Sequence, residues 1–503
     1  MIHGIETLRG GFEAEADVIV IGSGAGGAVA AANCAEAGMR TVVLEAGPQV
    51  RAEDMTRDAP RFLAKYFWDG GLRLLEGTAR IPTMQGRALG GSTVSNSAIM
   101  FKLPDWVREE WATKDGLTHL RDEAFDRAFE RVLTGTSTAP TPMNVQGPRN
   151  LIVRDVLDRM GERNGPLPRA VTGCQGCADC IIGCACGAKQ SVDRSWIPRA
   201  AIAGAQVYTC SQVDRILMEG DRAVGVTGRV IDVATWETVG RFTVRAPRVI
   251  VAASAMGTPC VLQKSGINPR GLVGATLEAH LSGGVFAVME QPMHPWIGAS
   301  QGWGAISQHV RGMKFESLWA DPSVMLVKWG GHGRELLAGL EDVRYMSIGA
   351  IVYRGRCHGT VKARRDGSPR MKFWIPREEA HVVFAAMQRM AKAFLDEGAR
   401  YTFCGTLPGV PDRMTTHAET EGLLSKQLHG GHLPMTANHV FSSCRMTGDE
   451  RTGPVAPDGS VRGVRGVYVA DASLFPSGSA VNPQATVMAL SDLVSRGIAD
   501  LQA

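Results

Sequence analysis

At 503 residues the chain is too long for one compact core, and two domains are expected. A hydrophobic content of 44%, a charged content of 21% and a mean hydropathy of −0.04 belong to an ordinary globular protein. No window approaches 18 uninterrupted apolar residues, which excludes a transmembrane helix, and a net charge of +4 without a basic stripe argues against a nucleic-acid partner.

The first segment, MIHGIETLRGGFEAEAD, has no basic run leading into an apolar stretch. No signal peptide is expected, and a cytoplasmic location follows, with any membrane association through a partner. Asp17-Val-Ile-Val-Ile21 then reads as a buried strand that runs into GSGAGG at 22–27. Gly22 permits a tight turn, Gly24 lets backbone reach a pyrophosphate, and Gly27 lets the next helix lie on the sheet. Residues 26–38 read as that helix and Thr41-Val-Val-Leu-Glu45 as a second strand ending in a carboxylate. Glu45 stands 18 residues past Gly27, where an acid can bind both hydroxyls of an adenosine ribose. A bound dinucleotide is expected.

Residues 86–98 form a second glycine-rich loop, and 105–135 has charged, helix-like patterning. The stretch 136–173, rich in Pro, Gly, Thr and Asn, predicts an irregular excursion. Strand-like runs at 206–210, 224–226 and 248–252 predict a β-meander inserted in the dinucleotide domain. In 281–410, runs at 346–353 and 359–364 with a helical stretch at 378–397 predict a sheet-based second domain. Trp296, Trp303, Trp319, Trp329 and Trp374 in this region are either core or an apolar roof over a ligand, and Arg364, Arg365 and Arg377 read as solvated. A strand at 466–471 and a helix at 483–501 close the chain.

Cys34, Cys210, Cys260, Cys357, Cys404 and Cys444 lie singly among apolar neighbours and read as buried thiols. The other five of the 11 cysteines fall within 174–186. Cys174, Cys177, Cys180 and Cys184 keep the C-x2-C-x2-C-x3-C spacing of a bacterial ferredoxin loop, although Ala185 stands where a proline usually follows and Cys186 is an extra thiol. An iron–sulfur cluster (3Fe–4S or 4Fe–4S), a zinc site and a thiol or disulfide loop are all compatible with this spacing.

His439 sits in a non-helical stretch with Ser442 and Ser443, and Asn482 precedes Pro483, which biases its backbone toward an extended form. An imidazole that takes a hydroxyl proton and an amide that holds the same oxygen are what hydride removal from an alcohol requires.

Four segments in one order carry a resemblance that covers essentially the whole chain: GSGAGG…VVLEAG at 22–47, GRALGGSTVSN at 86–96, HVFSSCRMTGD at 439–449 and VYVADASLFPSGSAVNPQATVMAL at 467–490. The chain resembles the glucose–methanol–choline (GMC) FAD-dependent oxidoreductases, in motif style the cholesterol-oxidase-like and long-chain-alcohol-oxidising members. The resemblance implies an α/β fold of p-hydroxybenzoate-hydroxylase-like architecture, with a Rossmann-like, doubly wound FAD-binding domain and a β-sheet substrate domain. It divides the chain into an FAD domain from 1–110, 190–280 and 430–503, an excursion over 111–189 carrying the cysteine loop, and a substrate domain over 281–429.

The same resemblance makes His439 the catalytic base and Asn482 its partner. It brings Gly90, Gly91 and Ser92 to the pyrophosphate and isoalloxazine, and Asn96 to the reactive edge of the flavin. Val213 offers backbone to adenine, Asp471 and Ala472 lie near the ribityl–phosphate region, and Pro483 with Gln484 approaches the pyrimidine ring. His280 reads as a packing residue. Relatives with covalent flavin carry histidine where this chain has Ser95, so FAD is expected to be non-covalent. The implied reaction oxidises a small-molecule alcohol to a carbonyl. With a cluster in the cysteine loop, electrons would leave to an acceptor protein, a small subunit or a quinone, which favours a dehydrogenase. The alternatives are an oxidase using dioxygen with a structural cysteine loop, a lyase on the same fold, a non-catalytic electron-transfer flavoprotein and an NAD enzyme.

Overall fold

The fold is taken from a computed structural model that describes residues 1–319, 321–322 and 332–500. Trp329 lies outside the described residues.

A six-stranded, all-parallel sheet organises the first half of the architecture. Its order is Ile2–His3, Gln206–Tyr208, Thr41–Leu44, Val18–Ile21, Val249–Val251 and Val467–Val469. The central strands are β-branched and buried on both faces, which parallel strands covered by helices require. One cover is Ala25–Glu36, whose sequence AGGAVAAANCAE is almost entirely small residues. Small side chains let this helix pack closely on the sheet and on the terminal helix Gln484–Asp500. The two helices are tied by Asn33 Nδ2 donating to Asp492 Oδ1 at 3.0 Å, and Asp492 also pairs with Arg131. A meander is present as Ser211–Glu219, Arg222–Asp232 and Glu237–Arg245, antiparallel and extended by Phe12–Glu15. Of the three runs expected to form it only 224–226 lies in it, while those at 206–210 and 248–252 supply Gln206–Tyr208 and Val249–Val251 of the parallel sheet.

A second, antiparallel six-stranded sheet runs Ala399–Phe403, Leu281–Met289, Met346–Tyr353, Met313–Ser317, Trp303–Ile306 and Asn164–Pro166. The helix Arg377–Asp396 lays its Ala380, Val383, Phe384, Met387 and Phe394 stripe into this region's core. Two sheets cross the expected segment limits. Asn164–Pro166 joins the second sheet, and Arg73–Gly77 with Arg80–Thr83 pairs with Pro369–Trp374 and His358–Ala363.

The stretch 136–173 is not wholly irregular. It holds the 12-residue helix Pro148–Arg159, with proline at its first position, where the missing N–H costs no hydrogen bond and the fixed φ suits a helix. Likewise 105–135 is two helices, Asp105–Lys114 and Glu123–Gly135. Among the tryptophans, Trp319 joins a small core with Phe286 and Phe403, Trp303 donates to Asn164 Oδ1 at 2.6 Å, and Trp296 and Trp374 are exposed. Among the described residues no helix is long and apolar enough to cross a membrane.

Candidate active site

In open parallel sheets ligands bind beyond the carboxyl ends of the strands, and the predicted cofactor residues gather there. Gly22 follows Val18–Ile21, Glu45 follows Thr41–Leu44, and Asp471 lies two residues past Val467–Val469. Gly22 has φ +95°, a left-handed conformation that favours glycine. A Cβ on Gly27 would lie 2.0 Å from the Gly22 carbonyl oxygen, so only glycine lets the helix start against the turn. Gly24 is different. A Cβ there would meet nothing within 4 Å, although the Gly91 backbone stands alongside.

Glu45 is buried and accepts from Ser23 N at 2.9 Å, Ser23 Oγ at 2.6 Å and Gly47 N at 2.8 Å. Burial raises its pKa, while the Ser23 and Gly47 bonds oppose the shift. Oε2 takes both Ser23 donors and Oε1 takes only Gly47, which leaves Oε1 a lone pair for a ribose hydroxyl. Ser23 Oγ in turn accepts from Gly90 N at 2.9 Å, joining the two glycine-rich loops. Ser92 Oγ accepts from Gly86 N at 2.9 Å, and Asn96 Nδ2 donates to Gln484 Oε1 at 2.6 Å. Asp471 accepts from Ser254 N and Ser473 N, each at 2.8 Å, and from Thr258 Oγ1 at 2.5 Å. Ala472 follows it, Pro483 precedes the terminal helix, and Val213 lies at a register shift in the meander. The open space at Gly24 and the free acceptor on Glu45 fit a dinucleotide laid across this edge.

The second half of the site is built by a two-residue pairing. Glu278–Ala279 runs antiparallel to Val440–Phe441, and His280 N donates to His439 O at 3.1 Å. This register sets the two imidazoles against each other, Nδ1 to Nδ1 at 3.1 Å with ring planes at 88°. His280, read from the sequence as a packing residue, is the neighbour of the expected base. On its other side His439 Nε2 stands 3.5 Å from Asn482 Nδ2, so the expected pair comes together. Behind Asn482 is a buried ion pair, Lys314 with Glu316, and Lys314 Nζ also donates to Asn482 Oδ1. The Lys314 ammonium lies 5.3 Å from the Phe101 ring centroid.

His439 keeps some exposed surface, yet burial pushes its imidazole down to about 4, with Glu316 opposing the shift and Lys314 adding to it. Burial also holds His280 well below the ordinary histidine range, and the nearby His439, Lys314 and Arg354 act in the same direction. Both shifts favour the neutral imidazole. A neutral imidazole with a free nitrogen beside an amide N–H is equipped to take a proton from a hydroxyl held between them.

Sequence reasoning missed His280, Lys314, Glu316 and Phe101. The usable signal was MKFES at 313–317, where two charged residues two apart share one face of an otherwise apolar strand.

Among the described residues no three His, Cys, Asp or Glu side chains converge as a metal-holding group, and Cys174, Cys177, Cys180 and Cys184 are free thiols, which matches, of the three readings of their spacing, the thiol loop. The 3₁₀ turn Cys180–Ile182 faces Cys180 inward, where its Sγ accepts from Arg169 at 3.2 Å. Burial raises that thiol, and Arg169 and Lys189 draw it back below its ordinary value. Cys184 Sγ lies 3.6 Å from Sγ of the exposed Cys186. The buried Lys189 donates to Cys180 O at 2.7 Å, Val94 O at 2.5 Å and Asn96 O at 2.9 Å. The loop thus braces the second glycine-rich loop.

A parallel sheet with a glycine turn and a buried acid at its carboxyl edge, beside a histidine–asparagine pair, is the arrangement expected of a dinucleotide-dependent oxidoreductase. The descriptions "GMC oxidoreductase" match residues 16–282 and 355–491. The chain belongs to the GMC oxidoreductase family, whose members are FAD flavoproteins. It is 31% identical over 478 residues to an uncharacterised GMC-type oxidoreductase of Mycobacterium tuberculosis (strain ATCC 25618 / H37Rv), covering 94% of this chain and 74% of that one. It is 25% identical over 523 residues to the long-chain-alcohol oxidase FAO1 of Arabidopsis thaliana, covering 98% and 68%. The crystal structure of pyridoxine 4-oxidase from Mesorbium loti superposes with a TM-score of 0.71 at 17% identity over 96% of this chain and 98% of that one, a likeness of fold.

Proposed function

We propose that the protein oxidises an alcohol to a carbonyl, with His439 as the base, Asn482 holding the same oxygen, and a non-covalent FAD. The observation that carries the reading is the His439–Asn482 pair, 3.5 Å apart, with the imidazole neutral. FAD, when bound, supplies the two-electron acceptor that takes the carbinol hydride at flavin N5. His439 Nε2 takes the hydroxyl proton as the C–H bond breaks. Asn482 Nδ2 donates to the oxygen and steadies the charge that grows on it. His280 Nδ1 lies within hydrogen-bond distance of the imidazole that has become charged.

Gly22, Gly24, Gly27, Glu45, Gly90, Gly91, Ser92, Asn96, Val213, Asp471, Ala472, Pro483 and Gln484 form the proposed FAD contacts, and 281–429 supplies the wall of the substrate pocket. The relatives named as oxidases favour dioxygen as the acceptor over the protein or quinone acceptor suggested by the cysteine spacing. We route no electron through Cys174, Cys177, Cys180 and Cys184.

Aerobic turnover with primary alcohols of increasing chain length tests the reading. The expected result is one carbonyl and one hydrogen peroxide per cycle, from protein without stoichiometric iron. A flavin-loaded protein that forms no carbonyl from any of them overturns it. The mode of flavin attachment is tested by acid precipitation. Intact FAD is expected in the supernatant, because Ser95 offers no imidazole for a covalent link; yellow pellet with colourless supernatant contradicts this.

A further inference from the structure

We propose that Lys314 is a positioning residue for the site, fixing through Asn482 which nitrogen of His439 presents its lone pair to the substrate. The inference rests on the proposed alcohol oxidation. Its starting point is the inventory of donors and acceptors along one buried row of side chains.

A lysine ammonium can only donate. The Asn482 atom facing Lys314 Nζ is therefore the carbonyl oxygen, and the amide nitrogen must face His439. That amide nitrogen carries only hydrogens, so it is compatible with His439 Nε2 as an acceptor and not with Nε2–H. A neutral imidazole has one N–H, which then lies on Nδ1. His439 Nδ1–H points to His280 Nδ1 at 3.1 Å, which must accept. His280 consequently carries its own hydrogen on Nε2, a buried atom with no hydrogen-bond partner among the described residues. The row has one polarity, set at its charged end: Lys314 to Asn482, Asn482 toward His439, and His439 to His280.

The opposite polarity would turn two N–H groups against each other at the gap between His439 and Asn482. With the polarity fixed by Lys314, that gap presents one acceptor and one donor, which is what a hydroxyl group needs to donate its proton and accept at its oxygen. The 3.5 Å separation leaves both groups free to close on that hydroxyl. Burial lowers the Lys314 pKa and the Glu316 carboxylate beside it opposes that shift in favour of the ammonium, with the Phe101 ring close by. The charged and titratable groups around His439 are Lys314 and Glu316 from 313–317 and His280 from the strand edge, with Arg354 acting on His280. Since Lys314 holds the His439 pKa down and Glu316 raises it, loss of the ammonium moves the acid limb of the rate profile to higher pH.

The test has two readouts on the FAD-loaded protein. Two-dimensional NMR of 15N-histidine-labelled protein without substrate is expected to show His439 protonated at Nδ1 and bare at Nε2. In Lys314→Met the two tautomers are expected to mix. Anaerobic stopped-flow with an alcohol that reduces the wild-type flavin is expected to show Lys314→Met slowed on the order of a hundredfold, with its acid limb shifted upward. Lys314→Arg, which keeps donor and charge, should restore most of the rate. If Lys314→Met fails to fold because Glu316 is left unpaired, the Lys314→Met/Glu316→Gln double variant carries the same expectation for tautomer and rate.

Wild-type His439 protonated at Nε2, or an unchanged tautomer or an unchanged rate in Lys314→Met and in the double variant, overturns the proposal. Because the tautomer is read without substrate, it separates this inference from the alcohol reading. A wild-type protein with the expected tautomer whose flavin no alcohol reduces would defeat that reading and leave the polarity of the row standing.

Discussion

Replacing His439 by alanine lowers the rate of flavin reduction by an alcohol about 10²–10⁴-fold and leaves FAD bound. The two effects separate because His439 belongs to the stretch paired with Glu278–Ala279, whereas the expected phosphate contacts come from 22–27 and 90–92. Removing the imbidazole removes the acceptor for the hydroxyl proton; it removes no glycine turn and no carboxylate. The pH dependence has a definite sign. The imidazole works as the free base, and its pKa is pushed down to about 4, so kcat/KM should stay level from neutral pH downward and fall only as pH drops through about 4. Near-normal reduction by His439→Ala, or an acid limb at the ordinary histidine pKa of about 6.5, would contradict this assignment.

The second large effect concerns two glycines that a motif treats alike. Gly27→Ala should destabilise the fold by about 1–3 kcal/mol or more, because its Cβ would stand 2.0 Å from the Gly22 carbonyl oxygen, and backbone on both sides must move. Gly24→Val should instead spare the fold and weaken FAD binding. Gly24 has φ −67° and ψ −167°, which side-chain-bearing residues adopt freely, and its added Cβ meets nothing within 4 Å. The flavin-free variant should therefore melt with the flavin-free wild type, yet purify with little FAD, because the new side chain occupies space assigned to the pyrophosphate. Absorbance per protein chain and thermal melting of the two flavin-free proteins measure this directly. Full FAD occupancy in Gly24→Val would show that the space is not the cofactor's.

How much of this was legible in the sequence depended on the range over which each pattern acts. The strand–glycine–helix–strand unit at 17–45 was readable because buried β-branched runs and fixed glycine spacing act within a few residues. The meander, the strand Met346–Tyr353 and the helix Arg377–Asp396 were readable for the same reason. The helix Pro148–Arg159 was hidden because the Pro- and Gly-rich composition of 136–173 reads as irregular, whereas Pro148 opens a helix. Lys314 and Glu316 were passed over because charged residues at alternate strand positions normally mark a solvent face. Here both faces of Met313–Ser317 are buried, and the charged one meets Asn482 from a segment more than 160 residues away. The contact between His280 and His439 was not readable because it is set by a two-residue pairing without any local signature. The cysteine spacing left three readings open and could not decide among them. Spacing limits which thiols can meet, but the turn at Cys180–Ile182 and the cations Arg169 and Lys189 decide where they point.

The central claim is that this histidine–asparagine site removes a proton from an alcohol while its carbon-bound hydrogen passes to FAD. The most direct measurement is anaerobic mixing of the FAD-loaded protein with a series of primary alcohols, each also deuterated at the carbinol carbon, while the flavin absorbance is followed. The expected result is bleaching of the yellow flavin by at least one alcohol, with two electrons taken up per FAD and a slower rate for the deuterated form. A fully loaded protein whose flavin keeps its oxidised spectrum with every alcohol would contradict the account.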